Sequence, residues 1–378
     1  MKLPDIGPQQ TEAIPAPRQE TDKLLKGEIW LTVSLRLQNG TVWASAGHEI
    51  AWAQFCVRNA LKPAQHESTQ WSSAPTIRDN GHSAAIVSAE TTFYFNKVTG
   101  RVVSWTSHGQ ELFLPGAGPR LTMWRAPTDN DKPQDAVMWR RFGLDVLEED
   151  IRSVQLAQNS TPYDGVTITV QSRLAPPCLA WGFNVTTTYT LLPDSTLLIH
   201  AALEPQGPIP ESIPRVGFEM DLPSETQKVA WFGKGPGQSY SDSQHGVKVG
   251  LYEAEVDQLT TQYDVPQENG NRTRTRWIHT QNHKGWGLQA ELKNILVEQD
   301  PRRQSGFDFA VQRHTPKQMT EARHPHELPE SQAVILRLDV SHHGLGSGSC
   351  GPKTWGEHVL KSQKFEFEVR LKHIERKL

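Results

Sequence analysis

No stretch of the 378-residue sequence is apolar for long enough to cross a bilayer as a helix, which takes about 20 residues. The opening Met1-Lys2-Leu3-Pro4-Asp5 lacks the basic-then-apolar layout of a secretory signal, so a soluble, cytoplasmic protein is expected. Cysteine is scarce: Cys56, Cys178 and Cys350 are odd in number and far apart, which argues against a disulfide framework or a cysteine-rich metal knot. Without secretion, the sequons at Asn39, Asn159, Asn184 and Asn271 carry no meaning. Charge of one sign is lacking too. Lys+Arg 39 against Asp+Glu 42 leaves a net charge of -3, which gives no electrostatic reason to expect nucleic acid or an anionic membrane as partner. A phosphate loop is absent, because Gly233-Lys234 runs on into Gly235-Pro236 where a Walker sequence needs Ser or Thr. Neutral sugars fit this balance better.

Tryptophan, by contrast, is abundant: twelve against six Tyr. A flat apolar face with one N–H donor suits core packing or a sugar face, and most are expected in the core. The dominant pattern is period-two alternation, the mark of half-buried strands. Leu31, Val33, Leu35 and Leu37 alternate with Thr32, Ser34 and Arg36; Val166, Ile168 and Val170 with Thr167 and Thr169; Phe365, Phe367, Val369 and Leu371 with Glu366, Glu368 and Arg370. Such strands belong to antiparallel sheets with one packed and one wet face. More are expected at Thr41 to Ala44, Trp52 to Arg58, Phe183 to Leu191, Leu197 to Ala202 and Val334 to Val340, with one helix at Gln134 to Leu144. Many strands and one helix predict an all-β sandwich architecture. A polar stretch from Lys62 to His82 reads as a linker between a small β unit with too few strands to close and a large one.

Four segments could carry chemistry. Trp124-Arg125-Ala126-Pro127-Thr128-Asp129-Asn130-Asp131, then Lys132, gathers donors and acceptors beside an indole. Sugar hydroxyls both donate and accept, so the set suits a sugar, although Asp-Asn-Asp by itself reads first as a turn. Gly344-Leu345-Gly346-Ser347-Gly348-Ser349-Cys350 permits close backbone approach, as a groove lining or a flexible turn. Cys350 reads first as a small apolar filler, since no activating base is visible. Trp231 to Gly237, with Tyr240 and Asp242, is the third segment, and Pro266-Gln267-Glu268-Asn269-Gly270-Asn271-Arg272 the fourth. In the fourth, Glu268, Asn269 and Arg272 either bind a ligand or form a buried ion-paired turn. His324, His326, His342 and His343 are expected at the surface, because no Cys or carboxylate set stands at metal-ligand spacing. Retaining glycoside hydrolysis needs two carboxylates about 5 to 5.5 Å apart, and no such pair is identifiable.

Taken in order and spacing, Trp-Arg-Ala-Pro-Thr-Asp-Asn-Asp, Gly-Lys-Gly-Pro then Tyr-Ser-Asp, and Pro-Gln-Glu-Asn-Gly-Asn-Arg resemble the C-terminal domain of β-galactosidases of glycoside hydrolase family 2. Gly27 to Val33, Ala46-Gly47-His48 and Trp52 resemble the end of the preceding domain. The resemblance implies a partial immunoglobulin-like β-sandwich over 1–70 and a large antiparallel super-sandwich of the galactose-mutarotase-like kind over 77–378. It implies that the loops Arg125 to Lys132 and Gly344 to Cys350 reach an active site built mainly by a separate α/β barrel. Arg125, Asp129, Asn130, Asp131, Lys132, Gly346, Ser347 and Cys350 are then the expected galactoside contacts. Some relatives carry a tryptophan platform in the second loop, whereas yeast-like ones resemble this chain in having cysteine, which keeps apolar contact and loses stacking. The family's nucleophile and acid/base are glutamates on the barrel, the latter directly after an asparagine, and this chain has no Asn-Glu dipeptide. No catalytic residue and no bound cofactor are therefore expected here; magnesium and sodium belong to the barrel. The implied function is the C-terminal part or small subunit of a β-galactosidase acting on terminal β-D-galactosides such as lactose. It would be inactive alone, partnered by a barrel in the same polypeptide or a large subunit, and oligomeric. A free-standing carbohydrate-binding protein and an aldose-1-epimerase-like mutarotase are the alternatives; the second needs a His and a carboxylate converging in a groove.

Overall fold

The structure, a computed structural model, describes residues 4, 6–13, 27–58, 75–88, 90–158, 165–296, 306–348, 351 and 353–375. It divides into two units, Met1–Glu67 and Ser68–Leu378. In the first, Ile29–Arg36 pairs antiparallel with Glu49–Arg58. The register puts Leu31 opposite Phe55 and Leu35 opposite Ala51, so the apolar side chains share one face. That face is open: Leu31, Val33, Leu35 and Phe55 are all exposed. A lone hairpin is marginal in water. Thr41 to Ala44, expected as a strand, is instead a turn in which the Thr41 N–H donates to the Ala44 carbonyl at 2.8 Å.

Among the described residues the second unit holds three antiparallel sheets. The largest has nine strands, in spatial order Lys248–Glu255, Thr226–Gly235, Trp277–Asn282, Trp286–Leu296, Phe365–Glu375, Leu197–Gln206, Gly182–Leu191, Val166–Ala175 and Glu148–Gln158. Cross-strand partners share a face, so Tyr189, Ile199 and Val369 line up on one side, as do Trp231, Ile278, Ala290 and Leu371. Both five-stranded sheets pack against that side. Phe367 meets Phe218 at 5.5 Å between ring centroids, Trp231 meets Phe309 at 5.6 Å, and Tyr189 meets Phe95 at 5.2 Å. Each fully buried Phe, Leu or Val contributes about 1.5–3 kcal/mol, and the resulting core is continuous across all three sheets. Thr167, Thr169, His200, Glu366 and Glu368 alternate onto the opposite, partly wetted face.

One smaller sheet, from Thr76–Asp79 to Gln110–Glu111, is a meander in chain order. Its first strand lies inside the stretch expected as a linker; residues 62–74 of that stretch fall outside the described residues. The other has the order Arg272–Thr275, Phe307–Gln312, Ala333–His342, Arg215–Pro223 and Arg120–Thr122. Here the expectation of one wet face fails. Along Ala333–His342 every residue after the first is buried. Val334, Leu336, Leu338 and Val340 face the core, while Arg337, Asp339 and Ser341 form a polar but sealed outer side. Arg337 reaches Glu219 at 2.9 Å, Arg120 reaches the same carboxylate at 2.7 Å, and Arg215 reaches Asp339 at 2.8 Å. Alternation reports polarity, and partners decide whether polarity stays in water.

Burial alone would raise the Glu219 carboxyl, but Arg337, Arg120 and Arg215 outweigh it and hold its pKa down, from an ordinary 4.5 to about 2. A carboxyl depressed on folding contributes stability above its unfolded pKa, and that contribution is lost as pH falls through the folded one. The unfolding temperature of the second unit is therefore expected to fall between about pH 4.5 and pH 2. In Glu219→Gln, scanned by calorimetry across that window, the decline should be flatter and the starting temperature lower.

The helix expected at Gln134 to Leu144 is present, shorter, as Asp135–Arg141, with a 3-10 turn at Leu144–Val146. A second helix, Pro316–Glu321, was not expected, yet its signal is in the sequence. Thr315 accepts from the Gln318 N–H at 3.1 Å, and Gln318 accepts from the Thr315 N–H at 2.8 Å, a reciprocal cap with Pro at the first turn.

Candidate functional site

The strands Arg120–Thr122 and Ala333–His342 flank Arg215–Pro223 and both run antiparallel to it. They are thus parallel to each other and leave the sheet at the same edge. From that edge issue the segments 124–132 and 344–348, which brings two of the sequence-predicted loops together. A third segment, Tyr240 to Ser243, is pinched by reciprocal 3.0 Å backbone bonds between its ends and abuts them.

Arg125 is wholly buried. Its Nε and Nη2 donate to Asp131 at 3.0 and 2.7 Å, and its remaining donors reach the carbonyls of His343 at 2.7 Å and Gly344 at 2.9 Å. The guanidinium lies 5.2 Å over the Trp139 ring. Burial opposes its charge, but Asp131 more than compensates and raises its pKa. Asp131, 2 % exposed, also accepts from the Thr128 N–H at 2.9 Å. Neither side chain presents surface to a ligand. The direct contact expected of Arg125 and Asp131 finds no open donor or acceptor here, because all their bonding directions are taken by protein.

The other side of the second loop is held by Asp242, whose carboxylate accepts from the N–H of Leu345 at 2.9 Å, the N–H of Gly346 at 2.9 Å and the Ser347 hydroxyl at 3.1 Å. Asn130 adds a bond from Nδ2 to the Leu345 carbonyl at 3.0 Å. Carbonyls of 343–345 are therefore gripped by the first loop and the donors of 345–347 by the third. Glycine is required at 344, where a Cβ would lie 2.6 Å from Asp242 Oδ2, and at 346, where φ is +131°. Sequence reading had placed Asp242 in a motif without a role; only the fold brings it to residues 103–105 positions away. Replacing Asp242 by Ala removes two N–H bonds to a charged acceptor. Each is worth about 1.5–3 kcal/mol, so amide exchange at Leu345 and Gly346 should accelerate at least about tenfold. Asp242→Asn should recover part of the protection, and unchanged exchange in the Ala variant would contradict this assignment.

Asp129, Asn130 and Lys132 are exposed at the tip of the first loop. Lys132 and Gln267 donate to Asp129 at 2.7 and 3.2 Å and hold its carboxyl below the usual range. Gln267 Oε1 also accepts from the Asp129 N–H at 3.0 Å. Gly346 and Ser347 are partly exposed beside them, and Cys350 lies outside the described residues. The Pro266 to Arg272 segment is a buried turn, but not an ion-paired one. Arg272 donates to the carbonyls of Leu259 at 2.7 Å, Gly270 at 2.6 Å and Pro236 at 3.2 Å, and lies 5.6 Å over Trp231. Glu268 takes the Tyr240 hydroxyl at 3.3 Å, and burial next to that carboxylate pushes the phenol pKa well up. His342 and His343, expected at the surface, are each 1 % exposed. His342 packs on Tyr240 and His343 on Trp139, at 5.3 Å each, because the strand carries them into the junction. Burial, then Arg125 and Arg215, keep His342 well below the usual imidazole pKa and hence neutral.

Comparison with known proteins matches residues 87–371 to the beta galactosidase small chain family and residues 1–58 to beta-galactosidase domain 4. The β-galactosidase of Arthrobacter sp. (strain B7) is 31% identical over 97% of this chain and 36% of its own length. That of Kluyveromyces lactis is 29% identical over 98% of this chain and 33% of its own. The chain thus spans about a third of these relatives. Among solved structures, galactose 1-epimerase from Lactobacillus acidophilus NCFM aligns with 80% of this chain and 98% of its own at a TM-score of 0.43 and 7% identity. With a family match covering the body of the all-β second unit, the chain belongs to the beta-galactosidase small chain family.

Proposed function

We propose that this chain shapes the galactoside pocket of a β-galactosidase whose proton donor and nucleophile are carried by a separate barrel portion. The observation that supports this reading is the double grip on 343–347. It leaves Asp129, Asn130, Lys132, Gly346 and Ser347 as an accessible polar rim on a rigid frame. Neutral hydroxyls need the mixture of amide, carboxylate, ammonium and hydroxyl that this rim offers. Arg125, Asp131 and Asp242 hold the rim in place. In this reading the substrates are terminal β-D-galactosides such as lactose. The barrel portion carries magnesium and sodium, and the chain works in a cytoplasmic, oligomeric enzyme. No helix among the described residues is long and apolar enough to cross a membrane.

The test is to mix the purified chain with the barrel-containing portion of a related β-galactosidase and follow a chromogenic galactoside. The chain alone should be inactive, and the mixture should exceed the barrel portion alone. No gain, or hydrolysis by the chain unaided, would refute the proposal. Asn130→Ala should raise KM in the mixture roughly 3- to 10-fold, the loss of one neutral hydrogen bond.

A further inference from the structure

We infer that Trp355 is an aromatic platform at the loop junction, its indole stacking on the C–H face of a pyranose ring held by the polar rim. Among the described residues of the second unit it is the one exposed tryptophan, at 60 %. The other tryptophans described there are buried or half-buried. The Trp355 side chain takes part in no hydrogen bond or ring contact among the described residues, so its indole and its Nε1–H are open to a ligand. A lone exposed indole needs no explanation by itself; its place beside the rim supplies one.

The backbone around Trp355 is laced to the second loop. The Ser347 N–H donates to the Lys353 carbonyl at 3.2 Å, the Trp355 N–H to the Ser347 hydroxyl at 3.2 Å, and the Gly344 N–H to the His358 carbonyl at 3.0 Å. The Trp355 carbonyl accepts from the His358 N–H at 2.8 Å, across the turn Gly356–His358. The indole therefore projects from a chain fixed on both sides of it, one hydrogen bond away from a rim residue. Ser347 gives its hydroxyl proton to Asp242 and accepts from Trp355, so this side of the rim offers a ligand little polar capacity beyond one lone pair. Residues 344–350 carry no aromatic of their own. A pyranose has one face of C–H groups edged by hydroxyls, and the junction divides the work accordingly: Asp129, Asn130 and Lys132 face the hydroxyls, and Trp355 the C–H face.

This role for Trp355 rests on the rim being a galactoside site as proposed, and the test separates the two. In the mixture of the full chain with the barrel-containing portion, Trp355→Ala should raise KM for lactose roughly 2- to 10-fold, the usual worth of one aromatic stack, with kcat nearly unchanged. Trp355→Phe should recover most of that loss. The unfolding temperature of the Trp355→Ala chain should match the parent, since the ring buries little on folding. With fluorotryptophan in the chain, the signal that disappears in Trp355→Phe should shift as a thiogalactoside, which resists hydrolysis, is added to the mixture. Three results would each overturn this role alone: an active mixture whose KM is unchanged in Trp355→Ala, a fluorine signal indifferent to the thiogalactoside, or a KM change accompanied by a lowered unfolding temperature and no recovery in Trp355→Phe. No gain in activity from the unsubstituted chain would overturn both the rim and its platform.

Discussion

Arg125→Ala is expected to lower the unfolding free energy of the second unit by roughly 3–5 kcal/mol, the usual effect of removing one partner from a buried, hydrogen-bonded ion pair. Asp131 would lose its two guanidinium donors in a site 2 % exposed, and the carbonyls of His343 and Gly344 would lose theirs. Urea denaturation with an unchanged slope measures the loss. Arg125→Lys should recover only a fraction, because an ammonium cannot serve Asp131 and two carbonyls from one planar fork. The discriminating variant is Arg125→Met combined with Asp131→Leu. If the penalty comes from a stranded charge, the double change should be milder than Arg125→Ala alone. A single substitution costing under about 1 kcal/mol would show that water replaces the guanidinium freely and that the grip on the loop is not built as described.

Trp231→Ala should be comparably severe, at about 3–5 kcal/mol. The indole is fully buried between Tyr252 at 5.4 Å and Phe309 at 5.6 Å, and its Nε1–H donates to the Lys234 carbonyl at 3.0 Å. It joins the large sheet to the smaller one at the end that carries the junction, and it supplies the ring under Arg272. Thermal unfolding of Trp231→Phe should lie between the two, since Phe keeps much of the volume and drops the hydrogen bond. A Trp231→Ala protein with near-native stability would mean that the two sheets do not depend on each other there.

The large sheet was legible because its strands alternate cleanly. Val166, Ile168 and Val170 against Thr167 and Thr169 leave one assignment, and the structure extends the strand only as far as Ala175. The outer side of Ala333–His342 was not, since Arg337 and Asp339 look like solvated residues until Glu219 and Arg215, more than a hundred positions earlier, are placed opposite them. The same long-range pairing hid Asp242. At the junction, residue type identified the loops as polar and glycine-rich, but it could not separate Asp129 from Asp131. They stand two positions apart, one at the tip and one facing an arginine beneath it, and only the path of the backbone tells them apart. Thr41 to Ala44 was misread because β-branched residues in a four-residue stretch suit a reversal as readily as an extended segment.

The grip on residues 343–347 from both flanks separates two burdens that a free loop would have to meet at once. Its shape is fixed when the polypeptide first folds, so the entropy of ordering it is not charged again each time a guest arrives. What faces outward can then change side chain by side chain with little effect on the frame below. On the proposed reading, changes at Asp129 and Lys132 should alter ligand preference with less cost to the frame than changes at Asn130, Arg125, Asp131 or Asp242.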